Sequence, residues 1–500
     1  MTATRALPAG FRVDFDPSTR QLTDSILFGG APARAMRLSA AGCQALAELR
    51  EGPIRSGAAG LLARRLTDGG LAHPRPPATS VVPDVTVVVP VRDRAVLLDQ
   101  CLAAVGRQYR VIVVDDGSRD PASIARISAR HGATLVRREE SGGPAAARDT
   151  GLAGVGTDLI AFLDSDCAPP PQWIEELAVH LADPLVAAVA PRIVAPQGGT
   201  GPRSVASRYA AACGSLDLGP AQARVVPMTK VAYVPTAALL VRREALVPAA
   251  PSAGECSTPG AAAAVFDPAL RYGEDVDLIW RLHDAGWRIR YEPAVQVRHY
   301  GPDAWPALLA KRFSYGTSAA PLARRHPSRL APLVLQPWPA LTVAALLARR
   351  PVAAAAAASL GWLTLASTVR RAGLPANGVA AASLTSIRQT WLGTGRYATQ
   401  FAGPVLAAVL TVRGGTSPAR RWGRRAAVGS LVLWPALEAW RQRRPALDPV
   451  RFALAHIADD ISYGAGVWAG CARERTLAPV APVISWRPLR VAGSANDGKG

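Results

Sequence analysis

The chain has 500 residues, 49% of them apolar, which excludes a disordered polymer and calls for two or three folded units rather than one domain. It carries 57 Lys and Arg against 37 Asp and Glu, a formal net charge of +20, which suits an anionic partner such as acidic lipid or a phosphorylated substrate. No RNA- or DNA-binding motif accompanies the charge, and six scattered cysteines without a C-x-x-C pair argue against a zinc ribbon or a thiol redox motif.

Residues 1–73 read as a small mixed unit. MTATRALPAGFRVDF at the start lacks an apolar stretch after its charges, so no signal peptide is expected and the catalytic part should stay in the cytoplasm. LFGG (27–30) followed by MRLSAAGCQALAELREG (36–52) predicts a short hairpin and then a helix. The proline cluster PRPPATSVVP (74–83) predicts a linker.

From residue 84 to about 320, apolar runs alternate with amphipathic stretches. VTVVVPV (85–91) is a continuous β-branched run, the mark of a strand buried on both faces. A helical pattern covers Ala95 to Gln108. VIVV (111–114) is a second buried strand ending in Asp115 and Asp116, ATLVR (133–137) a third, and LIAFL (159–163) a fourth, ending in Asp164. Strand–helix alternation of this kind predicts a doubly wound parallel α/β sheet with right-handed crossovers, whose ligands bind beyond the carboxyl ends of the strands. Asp93, Asp116 and Asp164 stand at those ends.

Asp164-Ser165-Asp166 directly follows the fourth strand, so both carboxylates are expected at the crevice. Two hard oxygen ligands suit Mg²⁺ or Mn²⁺; a solvated turn is the competing reading. In VIVVDDGS (111–118) a carboxylate can accept a hydrogen bond from a uracil imide, or close an Asx turn completed by Gly117. GEDVDLIWRL (273–282) predicts a helix with Glu274 and Asp275 at its start and Asp277 paired with Arg281 four residues on. Those first acids can cap the helix, or one can act as the general base on an acceptor hydroxyl. His299 ends another strand-like run, VQVRHYG, and is either a ligand of the divalent site or a structural histidine.

Beyond residue 328 the chain turns to Ala, Leu, Trp and Arg. Ala331–Ala348 and Pro351–Thr368 are uncharged runs of 18 residues, about 27 Å each as helices and just short of a ~30 Å hydrocarbon core. Shorter runs follow at Ala398–Val412 and Ala426–Trp440. Arginine pairs flank these runs. A spanning hairpin would put Arg349-Arg350 on the far side, against the positive-inside rule, so helices lying in the interface on anionic lipid are expected; soluble packing of Ala-rich helices is the alternative. The last residues, 491–500, are expected to be a disordered tail.

VTVVVPVRDR, VIVVDDGS, GGPAAARDTGL (142–152), FLDSDC and GEDVDLIWRL followed by VRHYG together resemble the family 2 glycosyltransferases of the GT-A fold, over about residues 84–320. The resemblance implies a GT-A doubly wound mixed sheet, a nucleotide-sugar donor and a divalent metal. It implies that Pro90, Arg92, Asp115 and Asp116 line a uridine pocket and that Arg148 and Asp149 lie near the diphosphate and sugar. It implies that Asp164 contacts the ribose or the metal, that Asp166 and His299 complete the metal site, and that Asp275, beside Glu274, is the catalytic base of an inverting displacement. Arg92-Asp93 departs from the aromatic residue and Asn common in the family. The Q-x-x-R-W motif of processive synthases is absent.

Residues 1–73 resemble the small winged-helix peptide-recognition domain of systems that modify ribosomally made peptides; a generic helical cap fits the pattern as well. The full arrangement resembles the mycofactocin-system branch of the family. That resemblance implies a UDP-glucose donor, a small peptide-derived redox cofactor (premycofactocin) as acceptor, and a short β-1,4-glucan product. A polyprenyl-phosphate sugar transferase and a non-catalytic sugar-nucleotide scaffold are the alternatives.

Overall fold

A computed structural model describes residues 5–78, 83–196, 204–246, 264–411, 417–486 and 490–492. Its centre is Val85–Val91 (β1), six of whose seven residues are buried, as a β-branched run covered on both faces requires. Arg110–Asp116 (β2) and Leu159–Leu163 (β4) flank it in parallel, and Thr134–Arg138 (β3) lies parallel outside β2. The crossovers carry Ala95–Val105 (α1), Pro121–His131 (α2) and Gly143–Leu152 (α3).

Local chemistry sets the ends of these helices. Asp120 caps α2 by accepting from the Ser123 N–H, Pro121 takes the first position, and Gly132 closes it in the left-handed region. The first crossover helix stops at Val105, short of the expected Gln108, because Gly106 adopts φ 77°.

The other half of the sheet comprises Cys167–Ala168 (β5), Val186–Val194 (β6), Ala223–Arg224 (β7), Ala238–Arg242 (β8) and Arg288–His299 (β9). The order is β5-β9-β6-β8-β4-β1-β2-β3, with β7 also on β9. β8 runs antiparallel to both β4 and β6, so the sheet is mixed, as expected for the GT-A class. Helix α4 (Glu274–Asp284) precedes β9. Alternate strand residues, on the sheet face that α1 and α2 cover, form the main core, among them Val87, Val89, Leu98, Val113, Leu163 and Trp173.

The N-terminal residues join this sheet in one compact unit, Met1–Gly199 with Gly214–Gly301 and Ala492–Gly500. Arg20–Thr23, Ile26–Gly29 and Arg34–Arg37 form an antiparallel meander, followed by helices Ala40–Glu51 and Gly57–Gly69. The expected hairpin and helix are therefore present. The proline-rich linker differs from expectation at its start. Pro74 and Arg75 are in a strand, Ala72–Arg75, paired with Arg12–Phe15. A two-stranded ribbon has a free edge on each side, and an edge tolerates the missing N–H of proline.

The second unit comprises Thr200–Cys213 and Pro302–Val491. It begins earlier than residue 328, and it takes in a segment, 200–213, that the sequence placed with the sheet. Its helices include Trp305–Thr317, Pro337–Leu347, Pro351–Arg371, Val379–Phe401, Pro418–Arg443 and Pro449–Glu474. The uncharged run Ala331–Ala348 does not form one 18-residue helix: only Pro337–Leu347 is helical, starting at a proline and ending just before Arg349 at φ 60°. Pro449–Glu474 packs very closely on Trp305–Thr317, where a Cβ at Gly466 would overlap the Phe313 carbonyl oxygen. The expected disordered tail, 491–500, is wrong at its start, since Val491 and Ala492 lie in a strand, Arg490–Ala492, and 493–500 lie outside the described residues.

Candidate active site

The D-x-D segment is shaped by a turn at the end of β4. The Asp164 N–H donates to the Ala237 carbonyl and the Cys167 N–H to that of Asp164, both at 2.9 Å. Asp166 then leads into β5, which pairs antiparallel with the end of β9 so that Cys167 lies opposite His299. The Tyr300 N–H donates to the Asp166 carbonyl at 2.9 Å. This pairing brings two residues 133 positions apart to one place: His299 Nε2 lies 3.6 Å from Asp166 Oδ1, and both side chains are largely buried. Asp166 Oδ1 is buried without a hydrogen-bond partner. Its other oxygen accepts from Arg94 Nη1, a residue the sequence reading did not single out.

An orphaned buried carboxylate oxygen facing an imidazole fits a divalent cation, which takes O and N donors. Among the described residues no group of three or more acids, His or Cys is arranged to hold a metal alone. A cation held by Asp166 and His299 would therefore complete its shell with oxygens from substrate or water.

Arg148 of α3 ties the D-x-D to the start of α4. Its Nη2 donates to Asp164 Oδ1 at 2.7 Å and its Nη1 to Glu274 Oε1 at 2.9 Å. The guanidinium, 3% exposed, lies 5.7 Å from the centre of the Phe266 ring. Asp275 stands next to this bridge in the first turn of α4, with its Oδ1 accepting from the Val276 N–H at 2.8 Å. Burial and the neighbouring Glu274 carboxylate push its carboxyl up to about 7, outweighing Arg148. A carboxylate with that affinity for a proton is suited to accept one from an alcohol near neutral pH. Asp277 and Arg281 pair at 2.8 Å along the same helix, as their spacing predicts.

The other predicted donor residues are placed as follows. Asp116, at the end of β2, accepts from Arg138 Nε and the Gly142 N–H on one oxygen, and from Ser141 Oγ and the Gly143 N–H on the other. Burial alone would raise its carboxyl, but these four donors hold it below the usual range. Asp116 thus fixes the loop that starts α3, and an incoming imide N–H would have to share its oxygens. Asp115 is fully buried, accepts from the Ser118 N–H at 2.9 Å and pairs with Arg137 at 2.6 Å; it closes the turn that Gly117 completes at φ 73°. Asp149 accepts from the Val265 and Phe266 N–H groups at 3.1 and 3.2 Å, with its carboxyl pushed up to about 6 by burial. It anchors the segment before α4. Pro90 is half-buried in β1, opposite Val114. Arg92 is exposed beside Asp93, which sits at φ 57° and accepts from the Arg119 N–H at 2.7 Å.

The mixed sheet, the D-x-D at the end of β4 and the acids at the start of α4 define a glycosyltransferase. Residues 86–247 match the Glycosyl transferase family 2 model. The pre-mycofactocin glycosyltransferase of Mycobacterium tuberculosis is 38% identical over 510 residues, spanning 97% of this chain and 100% of its own length. The chain therefore belongs to the family 2 glycosyltransferases, close to the mycofactocin one. Glycosyltransferase AglE of Haloferax volcanii is 40% identical over 106 residues, 19% of this chain and 35% of its own. Among solved structures, the mannosyltransferase PcManGT from Pyrobaculum calidifontis in complex with GDP-Man and Mn2+ covers 72% of this chain and 89% of its own, at 20% identity and a TM-score of 0.36.

Proposed function

We propose that the chain is an inverting, metal-dependent transferase that moves glucose from UDP-glucose onto pre-mycofactocin and builds a short β-linked glucan. The acceptor reading is supported by 38% identity to the pre-mycofactocin enzyme over 97% of this chain and the full length of that one. The observation that carries the chemistry is the Arg148 bridge between Asp164 and Glu274, which places Asp275 beside the acids of the sheet end.

Asp166 and His299, with Asp164 nearby, would hold Mn²⁺ or Mg²⁺, which when bound offsets the charge that builds on the leaving diphosphate. The protein's own groups do the rest. Asp275 takes the proton from the acceptor hydroxyl as that oxygen attacks the anomeric carbon, opposite the departing UDP. One displacement turns an α-linked donor into a β-linked product. Arg148 keeps Asp164 and Glu274 in register and stays cationic throughout.

The work is assigned to the cytoplasmic face of the cell membrane. Pro351–Arg371 is 21 residues long, with a mean hydropathy of 1.6 and 17% of its apolar window buried. Val352, Trp362 and Leu363 are exposed on it, and arginine pairs stand at both ends. That pattern supports an interfacial helix over anionic lipid.

The test is to incubate the full chain with UDP-glucose, Mn²⁺ and a peptide-derived acceptor fraction, and to read product masses and anomeric configuration. A ladder of single hexose steps with β linkages is expected. A product extractable into organic solvent, or an α linkage, would contradict the reading.

A further inference from the structure

Among the described residues, the seam between the helix Gly57–Gly69 and the strands β7 and β9 holds more arginines than paired carboxylates. Arg64 is fully buried and makes a bidentate pair with Asp183, both contacts at 2.7 Å, while its Nε donates to the Arg5 carbonyl. Arg288 makes a bidentate pair with Asp68 at 2.7 and 2.6 Å. Each acid is thereby committed to one arginine. Two further arginines stand in the same seam, directly opposite each other in the pairing of β7 with β9: Arg224 and Arg290.

Neither has a carboxylate of its own among the described residues. Arg224 donates from Nη1 to the Asp68 carbonyl at 2.7 Å, lies 3.9 Å from an Asp68 oxygen already held by Arg288, and leaves its buried Nε unpartnered. Arg290 is 3% exposed, and both its Nε and Nη2 are buried without a partner. The nearby acid Glu292 offers no relief, since it accepts from Gln222 and the Ala294 N–H and faces His180 at 3.2 Å. Burial forces the Arg290 guanidinium down to about 10, with Arg224 and Arg64 adding to that and Asp68 and Asp183 opposing it. A guanidinium remains charged at neutral pH even so, and a buried charge without a counter-charge is strongly unfavourable. Four guanidinium groups against two carboxylates leave an excess of two.

We infer that this seam takes up a small inorganic oxyanion of the phosphate or sulfate class, held by Arg290 and the Nε of Arg224. Guanidinium N–H groups suit such oxygens, and the anion satisfies donors that have no partner among the described residues. It also clamps the helix that carries Arg64 and Asp68 to the sheet. The site is separate from the transfer centre, and it uses none of the residues assigned there.

The test is thermal unfolding of the full chain in low-salt buffer, titrated with sodium phosphate, sodium acetate or sodium chloride at matched ionic strength. Wild type is expected to gain stability saturably with phosphate and to show only the weak, non-saturating response to acetate and chloride. Arg290→Gln should bind phosphate at least about tenfold more weakly, and, having lost the unpaired charge, should be the more stable of the two without phosphate. Arg224→Gln should weaken the phosphate response in the same direction, which keeps the test open if the first variant folds poorly. Equal phosphate responses in wild type and both variants, or saturation by acetate alone, would overturn the inference.

Discussion

Arg148 and Glu274, 126 residues apart, meet at 2.9 Å in the buried centre of the site. The same guanidinium reaches Asp164, so one cation holds two acids from distant parts of the chain. Arg148→Met strands both carboxylates. Breaking a buried pair costs about 3–5 kcal/mol, and the lower end applies because Asp164 is 31% exposed. Denaturant unfolding should therefore show a loss of about 3 kcal/mol. An unchanged midpoint would mean that the bridge does not form.

The elevated proton affinity of Asp275 sets a pH dependence with a definite sign. The base must be ionised, so transfer should rise with pH through about 7 and fall below it. Stability should move the other way. The folded chain binds this proton more tightly than the unfolded chain, so the group favours folding at acid pH and opposes it increasingly between the usual carboxylate range and about 7. A pH–rate profile of kcat/KM, with and without Asp275→Glu, checks the first part; a flat profile from pH 5 to 8 would remove Asp275 from the base role.

Asp166 and His299 face each other with an unpartnered oxygen between them. Asp166→Ala and His299→Ala should each require at least about tenfold more Mn²⁺ for half-maximal rate, and chelator should silence the wild type reversibly. Activity indifferent to chelator would rule out the metal role of this pair.

The exposed Trp362 and Leu363 give a test of lipid contact that should spare the fold. Wild type should co-sediment with vesicles containing anionic lipid and less with neutral ones. Trp362→Glu combined with Leu363→Glu should cut the bound fraction several-fold. Wild type remaining wholly in the supernatant at low salt would end the membrane assignment.

The buried strands were readable because residues covered on both faces leave continuous apolar runs, as in Val85–Val91 and Leu159–Leu163. The acids at their ends followed from the topology. Partnership was harder to read. Asp166 meets His299 only because β5 pairs with β9, a long-range choice that no local spacing encodes. Nothing in the local pattern singles out Arg94, whose guanidinium donates to Asp166 in the folded chain. Asp116 and Asp149 looked like ligand groups by residue type, yet their oxygens hold backbone N–H groups of neighbouring loops. Pro74 read as a breaker because the sequence does not reveal that its strand lies at an edge.

The most direct measurement compares Asp275→Asn with wild type, reading UDP-glucose binding by calorimetry and hexose transfer by mass spectrometry in the same preparation. Binding should persist within a few-fold while transfer falls by about 10²–10⁴, the share a positioned base supplies. Wild-type rates of hexose addition by the Asn variant would contradict the whole account of the site.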